Sequence, residues 1–329
     1  MKGTFTINIP VTPENMPALD AMRAWSESIP SVYCLDICSV SRIKKALALA
    51  KAEEESPFHD PHIAALKRLD RPQNAISYFT ALMEKASDQH SPLRSDGLIE
   101  EAERDLDAIG AFFSEARVFE PKDFAFSFIR ELNGKNLEIL GENYHSYLQS
   151  VNSSGIYNSL SASKRFVVAE LICDEARKFS ISASHPVVLA SLACIYGCRP
   201  AKKVMKFKKN PEEFNSSNAL ADIQIIQRVG KLSQMVEDAR ISGKCQYMRT
   251  LPITADVALE EFCSMFTMNA VESKPTEFGA RDTFTLTIKA PKLFPALHND
   301  GGIVKDSDCE KELMELYGLI SRVQNEASS

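Results

Sequence analysis

Polar and apolar residues alternate along Thr4-Phe5-Thr6-Ile7-Asn8-Ile9 and again along Thr283-Phe284-Thr285-Leu286-Thr287-Ile288. A period of two predicts a half-buried strand at each place, and the likeness of the two suggests that they pair at a sheet edge. Ser31-Val32-Tyr33-Cys34-Leu35-Asp36 follows a different pattern, a continuous apolar run closed by a carboxylate. Such a run suits a buried parallel strand whose C-terminal end opens on a crevice. Helical spacing follows over 41–55 and over 61–69, where Pro61 suits a first helical position. Residues 75–85 form an apolar segment ending in Met83-Glu84.

From about 98 to 196 the spacing is helical almost throughout, with helices predicted over 98–116, 122–132, 161–179 and 186–196. Pro121, Asn133-Gly134 and 152–155 break the run. Beyond it come a long helix over 217–241, a strand over 247–254, a helix over 256–263, a strand over 265–270 and a closing helix over 310–323. Strand-helix alternation on both sides of a helical block predicts an α/β fold. Residues 1–90 and 215–329 would form one discontinuous domain, and 91–214 a helical insertion. Within the insertion Phe112, Phe113, Phe119, Phe124, Phe126 and Phe128 read as core, and the acidic stretch 96–107 as a face turned away from any polyanion.

Composition narrows the function classes. The chain has 329 residues, 44% of them hydrophobic and 25% charged, so it can build an ordinary globular core. A net charge of −6 excludes a generally basic nucleic-acid coat, so a polyanion site would have to be a local patch. The longest apolar run, 187–198, is about half of the ~20 residues that a membrane span needs. The N-terminus lacks the regions of a signal peptide. Eight cysteines without a C-x-x-C pair read as reduced thiols of a cytoplasmic protein, and the pairs Cys34/Cys38 and Cys194/Cys198 as core packing. The motifs of P-loop NTPases, zincins, elbow-type serine hydrolases and dinucleotide binders are all missing.

What remains is a set of carboxylates: Asp36 in YCLDICSVSRIK, Glu84 in ISYFTALMEK, Asp222 in NALADIQII and Asp256 in ITADVALEEF. Singly, Asp36 and Asp256 read as helix N-caps, and Glu84 and Asp222 as surface positions. As an ordered set they resemble the PIN-domain nucleases. The likeness covers 31 to about 90 and 215 to about 270. ITADVALEEF is its best match, an apolar strand ending Thr-x-Asp before a short helix with Leu and Phe.

The resemblance implies a three-layer PIN-like α/β fold with a central, mainly parallel sheet, here carrying a large helical insertion. It also implies a Mg²⁺- or Mn²⁺-dependent phosphodiesterase acting on RNA or single-stranded nucleic acid, with Asp36, Glu84, Asp222 and Asp256 as catalytic and metal-holding groups. A homo-oligomer or a protein inhibitor are its further expected partners; a membrane is not. Residue chemistry points the same way. Two carboxylates ~4 Å apart repel by about 4 kcal/mol at an effective dielectric of 20, and hard oxygen ligands suit these ions. Asn218, one turn before Asp222, would orient it or touch phosphate, and Thr254 and Ser39 would supply positioning hydroxyls. The run from Arg199 to Lys209 carries six cations and no acid. Its Lys202, Lys203, Lys206, Lys208 and Lys209, with Arg42 and Lys44 beside Asp36, would contact the phosphate backbone, and Phe207 would stack on a base.

Ile37 and Cys38 stand where the family usually carries Thr, Ser or Asn after the first acid. They keep open a catalytically silent PIN-like module for RNA binding or assembly. The same acids would also suit a structure-specific DNA nuclease or a small-molecule enzyme that uses a metal for different chemistry.

Overall fold

A computed structural model describes residues 10–52, 60–86, 95–132, 142–157, 160–276 and 279–321. In chain order the elements begin with α1 (Met16–Ser28), β1 (Ser31–Leu35), α2 (Ile37–Lys51), α3 (Pro61–Arg68), β2 (Ala75–Ser77), α4 (Phe79–Ala86), α5 (Ser95–Phe112) and β3 (Arg117–Val118). There follow α6 (Lys122–Leu132), α7 (Glu142–Ser153), α8 (Ala162–Lys178), α9 (Pro186–Ile195), α10 (Arg199–Met205) and α11 (Ser216–Ile241). The last are β4 (Arg249–Ile253), α12 (Val257–Cys263), β5 (Phe266–Thr276), β6 (Gly279–Ile288), α13 (Ala290–Leu293) and α14 (Ser307–Ile320).

The fold is α/β, built on a four-stranded parallel sheet in the order β3-β2-β1-β4. β1 is central and buried along its whole length, which accounts for its unbroken apolar run. β4 lies at the edge, where Pro252, opposite Cys34, deprives no further strand of a hydrogen bond.

Alternation along β1 divides the core in two. Val32 and Cys34 face a cluster that includes residues of α7 to α12 and α14. Tyr33 and Leu35 face another that includes residues of α2 to α6. Helices therefore cover both faces of the sheet. The stretch 91–214, expected as an insertion, contributes α5 and α6 to one face, α7 to α10 to the other, and β3 to the sheet edge.

The 283–288 alternation forms a strand, β6, which among the described residues pairs antiparallel with β5 and sets Val271 opposite Phe284 in register. The 4–9 alternation lies outside the described residues. Of the phenylalanines, Phe112 and Phe113 are buried, whereas Phe124 is exposed and stacks against Phe128 at 6.1 Å between ring centroids. The acidic stretch 96–107, expected on an outward face, turns Asp105 inward, where it is fully buried and accepts from Lys44, Tyr78 and Lys85.

Candidate metal and phosphate site

Three parallel connections place the acids. β1 ends at Leu35, and Asp36 caps α2, its Oδ1 accepting from Ser39 N–H at 2.7 Å. β4 ends at Ile253, and Asp256 caps α12, its Oδ1 accepting from Ala258 and Leu259 N–H at 2.8 and 3.1 Å. Leu35 and Ile253 are paired in register, and Asp36 N–H donates to Ile253 O at 3.1 Å. Both acids therefore open on the carboxyl edge of the sheet, where ligands of parallel α/β folds bind. Thr254 joins them. Its hydroxyl donates to Asp36 Oδ2 at 2.5 Å and accepts Asp256 N–H at 2.9 Å.

β2 leads into α4, whose Thr80 hydroxyl donates to Leu35 O at 2.5 Å. One turn later Glu84 Oε2 accepts the N–H of Ile37 at 3.3 Å. α11 crosses the same edge and presents Asn218, Asp222, Ile225 and Arg228 at helical spacing. All four expected acids, with Asn218, line one cavity of about 130 Å³. Ile37, Cys38, Thr80, Lys206 and Arg228 line it too.

The electrostatics follow from this crowding. Burial pushes Asp222 up to about 7, with the charges of Glu84, Asp256 and Asp36 adding to it and Lys206 opposing. Burial likewise raises Glu84, against the Ile37 N–H and the charges of Arg228 and Lys85. Cys38 is pushed up to about 11 by partial desolvation of its thiol and by the four acids, so the thiol stays protonated at neutral pH. Cys38 is exposed and borders the cavity, in place of the core packing expected for it.

The chain matches no family model, no curated protein and no solved structure.

The expected phosphate contacts divide. Lys206 lies at the cavity, its Nζ 3.7 Å from Asp222 Oδ2. It ends α10 in the left-handed region, at φ 52°. Arg199 to Met205, the first part of the basic run, is helical, with Ala201, Val204 and Met205 buried. Lys203, Lys208 and Lys209 are exposed outside the cavity lining, and Lys202 is half-buried. Phe207, read as a base-stacking ring, is half-buried and packs against Phe214 at 5.2 Å between ring centroids. Arg42 and Lys44, neighbours of Asp36 in sequence, are turned away by α2. Arg42 binds Asp60 at 2.7 Å, and Lys44 binds the buried Asp105 at 2.7 Å. Ser39 donates its hydroxyl to Ile253 O at 3.3 Å and meets His62 Nε2 at 3.0 Å, so it braces the β1–β4 junction from behind.

Sequence reasoning missed Thr80 and Arg228. Arg228 is only 8% exposed, and its Nη2 donates to Gln224 Oε1 at 2.7 Å. Both residues were findable once the faces of α4 and α11 were read from Glu84 and Asp222. Thr80 lies four residues before Glu84, and Arg228 continues the Asn218–Asp222–Ile225 stripe.

The donor set fits a hard divalent cation in chemistry. Its acids offer only carboxylate oxygens, the hard donors that such an ion takes. Among the described residues no three carboxylate, His or Cys groups form a ready-made cation cluster, so binding requires the side chains to draw together.

Proposed function

We propose that this chain is a Mg²⁺- or Mn²⁺-dependent nuclease of the PIN-like type, hydrolysing phosphodiester bonds of RNA. One observation carries the reading: four carboxylates from four separate segments, Asp36, Glu84, Asp222 and Asp256, line a single cavity at the carboxyl edge of a parallel sheet. A helix cap or a surface position explains each of them alone. Neither explains why α4 and α11 bring Glu84 and Asp222 to the caps of α2 and α12.

Asp36, Asp222 and Asp256 would hold the ion, with Glu84 bordering it. When bound, the ion supplies Lewis-acid charge for attack by water on the phosphodiester. The protein supplies position. Ser39 N–H and Thr254 Oγ1 fix the two oxygens of Asp36. The α12 amides fix Oδ1 of Asp256. Lys206 offers an ammonium at the mouth for a phosphate oxygen, and Asn218 an amide one turn before Asp222.

A second reading, a catalytically silent RNA-binding or assembly module, is favoured by the lack of a ready-made cation cluster among the described residues. Incubation of the purified protein with RNA and single-stranded DNA, plus Mn²⁺ or Mg²⁺ and beside EDTA and Asp36→Asn controls, separates the two. The nuclease reading expects metal-dependent RNA cleavage, lost in Asp36→Asn while nucleic-acid binding is kept. Equal cleavage by both proteins, or none by either, overturns it.

A further inference from the structure

Among the described residues two aromatic rings are exposed, Trp25 and Phe124. Trp25 lies on α1, which leads into the amino end of β1. Phe124 lies in the first turn of α6, which follows the carboxyl end of β3, on the edge of the sheet where the four acids gather. It is 51% exposed and stacks on Phe128 with the two planes 10° apart. Phe128 in turn meets Phe79 at 5.4 Å between ring centroids. Phe79 opens α4, the helix that carries Thr80 and Glu84 to the cavity, so the ladder of rings runs from solvent to an element that lines the site. Its mount is firm. Phe128 packs against the core. Glu120, just ahead of α6, accepts the Ser77 hydroxyl at 2.5 Å and the N–H of Tyr78 at 2.9 Å, which ties the start of α6 to the start of α4.

With Phe128 against it and half its surface open, Phe124 offers its ring to a further planar group. Ser127 and Glu131, at i+3 and i+7 from Phe124, are polar and exposed, so the apolar surface on this side of α6 is about one ring wide. That is too little for a partner helix or a second copy to bury, and it matches the face of one nucleobase. The acids of α5 do not oppose a strand here. Glu103 and Asp107 are held by Lys122, which lies about 200° round α6 from Phe124. Resting on the nuclease reading above, we propose that Phe124 is a stacking platform for an unpaired base of the single strand whose backbone passes the acid cavity. β3 stands two strands from β1, about 10 Å along the edge, a span that neighbouring nucleotides of one strand bridge. Every base has a π-face, so the contact favours single strands over duplexes, whose bases already stack on one another, and it does not read sequence.

The test is binding of a short fluorescent oligoadenylate, followed by anisotropy in EDTA with the full-length protein, and circular dichroism to verify folding. Phe124→Ala should raise Kd about ten-fold, the loss of one stacked base. The slope of log K against log salt should stay as in wild type, because no phosphate contact is removed. Phe124→Tyr should bind like wild type. Phe124→Leu, apolar but without a π-face, should bind like Phe124→Ala. A strand of abasic nucleotides should bind wild type and Phe124→Ala alike. Should Phe124→Ala fail to fold, the contrast between Phe124→Tyr and Phe124→Leu decides. An unchanged Kd in Phe124→Ala, wild-type binding by Phe124→Leu, or an equal loss with the abasic strand overturns the proposal. So does a wild-type dimer in sedimentation that Phe124→Ala abolishes, since the ring would then belong to a self-interface. Metal-dependent cleavage with binding unchanged in Phe124→Ala removes this inference and leaves the nuclease reading. Binding that depends on Phe124 without any cleavage removes the nuclease reading and leaves the platform, whereas protein that neither binds nor cleaves a strand removes both.

Discussion

Asp222→Asn should make the metal-free protein more stable at neutral and alkaline pH, although it removes a group that the proposed chemistry needs. Asp222 sits on α11 with its side chain 15% exposed, 3.7 Å from Lys206 Nζ and among three other carboxylates. Burial and those neighbours displace it from its ordinary 3.8 to about 7. Between these values the folded protein keeps a proton that the unfolded chain has released, so stability falls as pH rises through the window. At about 1.4 kcal/mol per pH unit, the full displacement destabilises the fold by up to about 4 kcal/mol at pH 8. At pH 5 only the lower part of the window has been crossed, and the penalty shrinks to about 2 kcal/mol. Asn keeps the shape and cannot ionise. Denaturant unfolding in EDTA should therefore show the variant ahead at pH 8, with the gap at least halved at pH 5. Saturating Mn²⁺ should raise wild type by about 2.7 kcal/mol at 100 times Kd and close most of the remaining distance. A variant no more stable than wild type at pH 8, or a gap that does not vary with pH, would refute the claim that Asp222 is an uncompensated buried acid.

Thr254→Val removes the hydroxyl that donates to Asp36 Oδ2 and accepts from Asp256 N–H. It should lower stability by about 1–3 kcal/mol, read from the denaturant midpoint, and weaken Mn²⁺ binding, with Thr254→Ser restoring both. Replacing the exposed Lys203, Lys208 and Lys209 together by Gln tests the rest of the basic run. If they touch a single strand, the slope of log K against log salt should shrink by about 2, whereas an unchanged slope would leave Lys206 as the run's phosphate contact.

Much of the site was legible because two of its acids are placed by local rules. Asp36 and Asp256 each follow an apolar strand and cap the next helix, and a carboxylate that accepts the first free amides of a helix is visible as a pattern of a few residues. The same rule corrects the predicted start of the first long helix. Asp36 caps directly, so α2 begins at Ile37 rather than at Ser41. The parallel sheet was legible from the unbroken apolar run of β1, because only a strand covered on both faces tolerates one. Strand pairing was not. A period of two says which residues face the core but carries no address, and β5, which pairs with β6, was not named as its partner by the pattern.

The local structure of the basic run was not legible for a related reason. Net charge along eleven residues does not say which way a side chain points, and the apolar face of Ala201, Val204 and Met205 settles that by folding the first half into a helix. Lys206 reaches the cavity because the chain turns into the left-handed region as α10 ends, and no charge count contains that turn.

Arg228 marks the boundary of what a sequence can state. Its place on the stripe with Asn218 and Asp222 is a matter of helical spacing, available from residues 218 to 228 alone. The cavity it lines there is shared with Glu84, 144 positions earlier in the chain. A set of acids read from the chain suggests a pocket of charge −4, enough for two divalent ions. The folded protein brings a guanidinium among those acids and makes their surroundings less negative, without altering any of the motifs by which the acids were found.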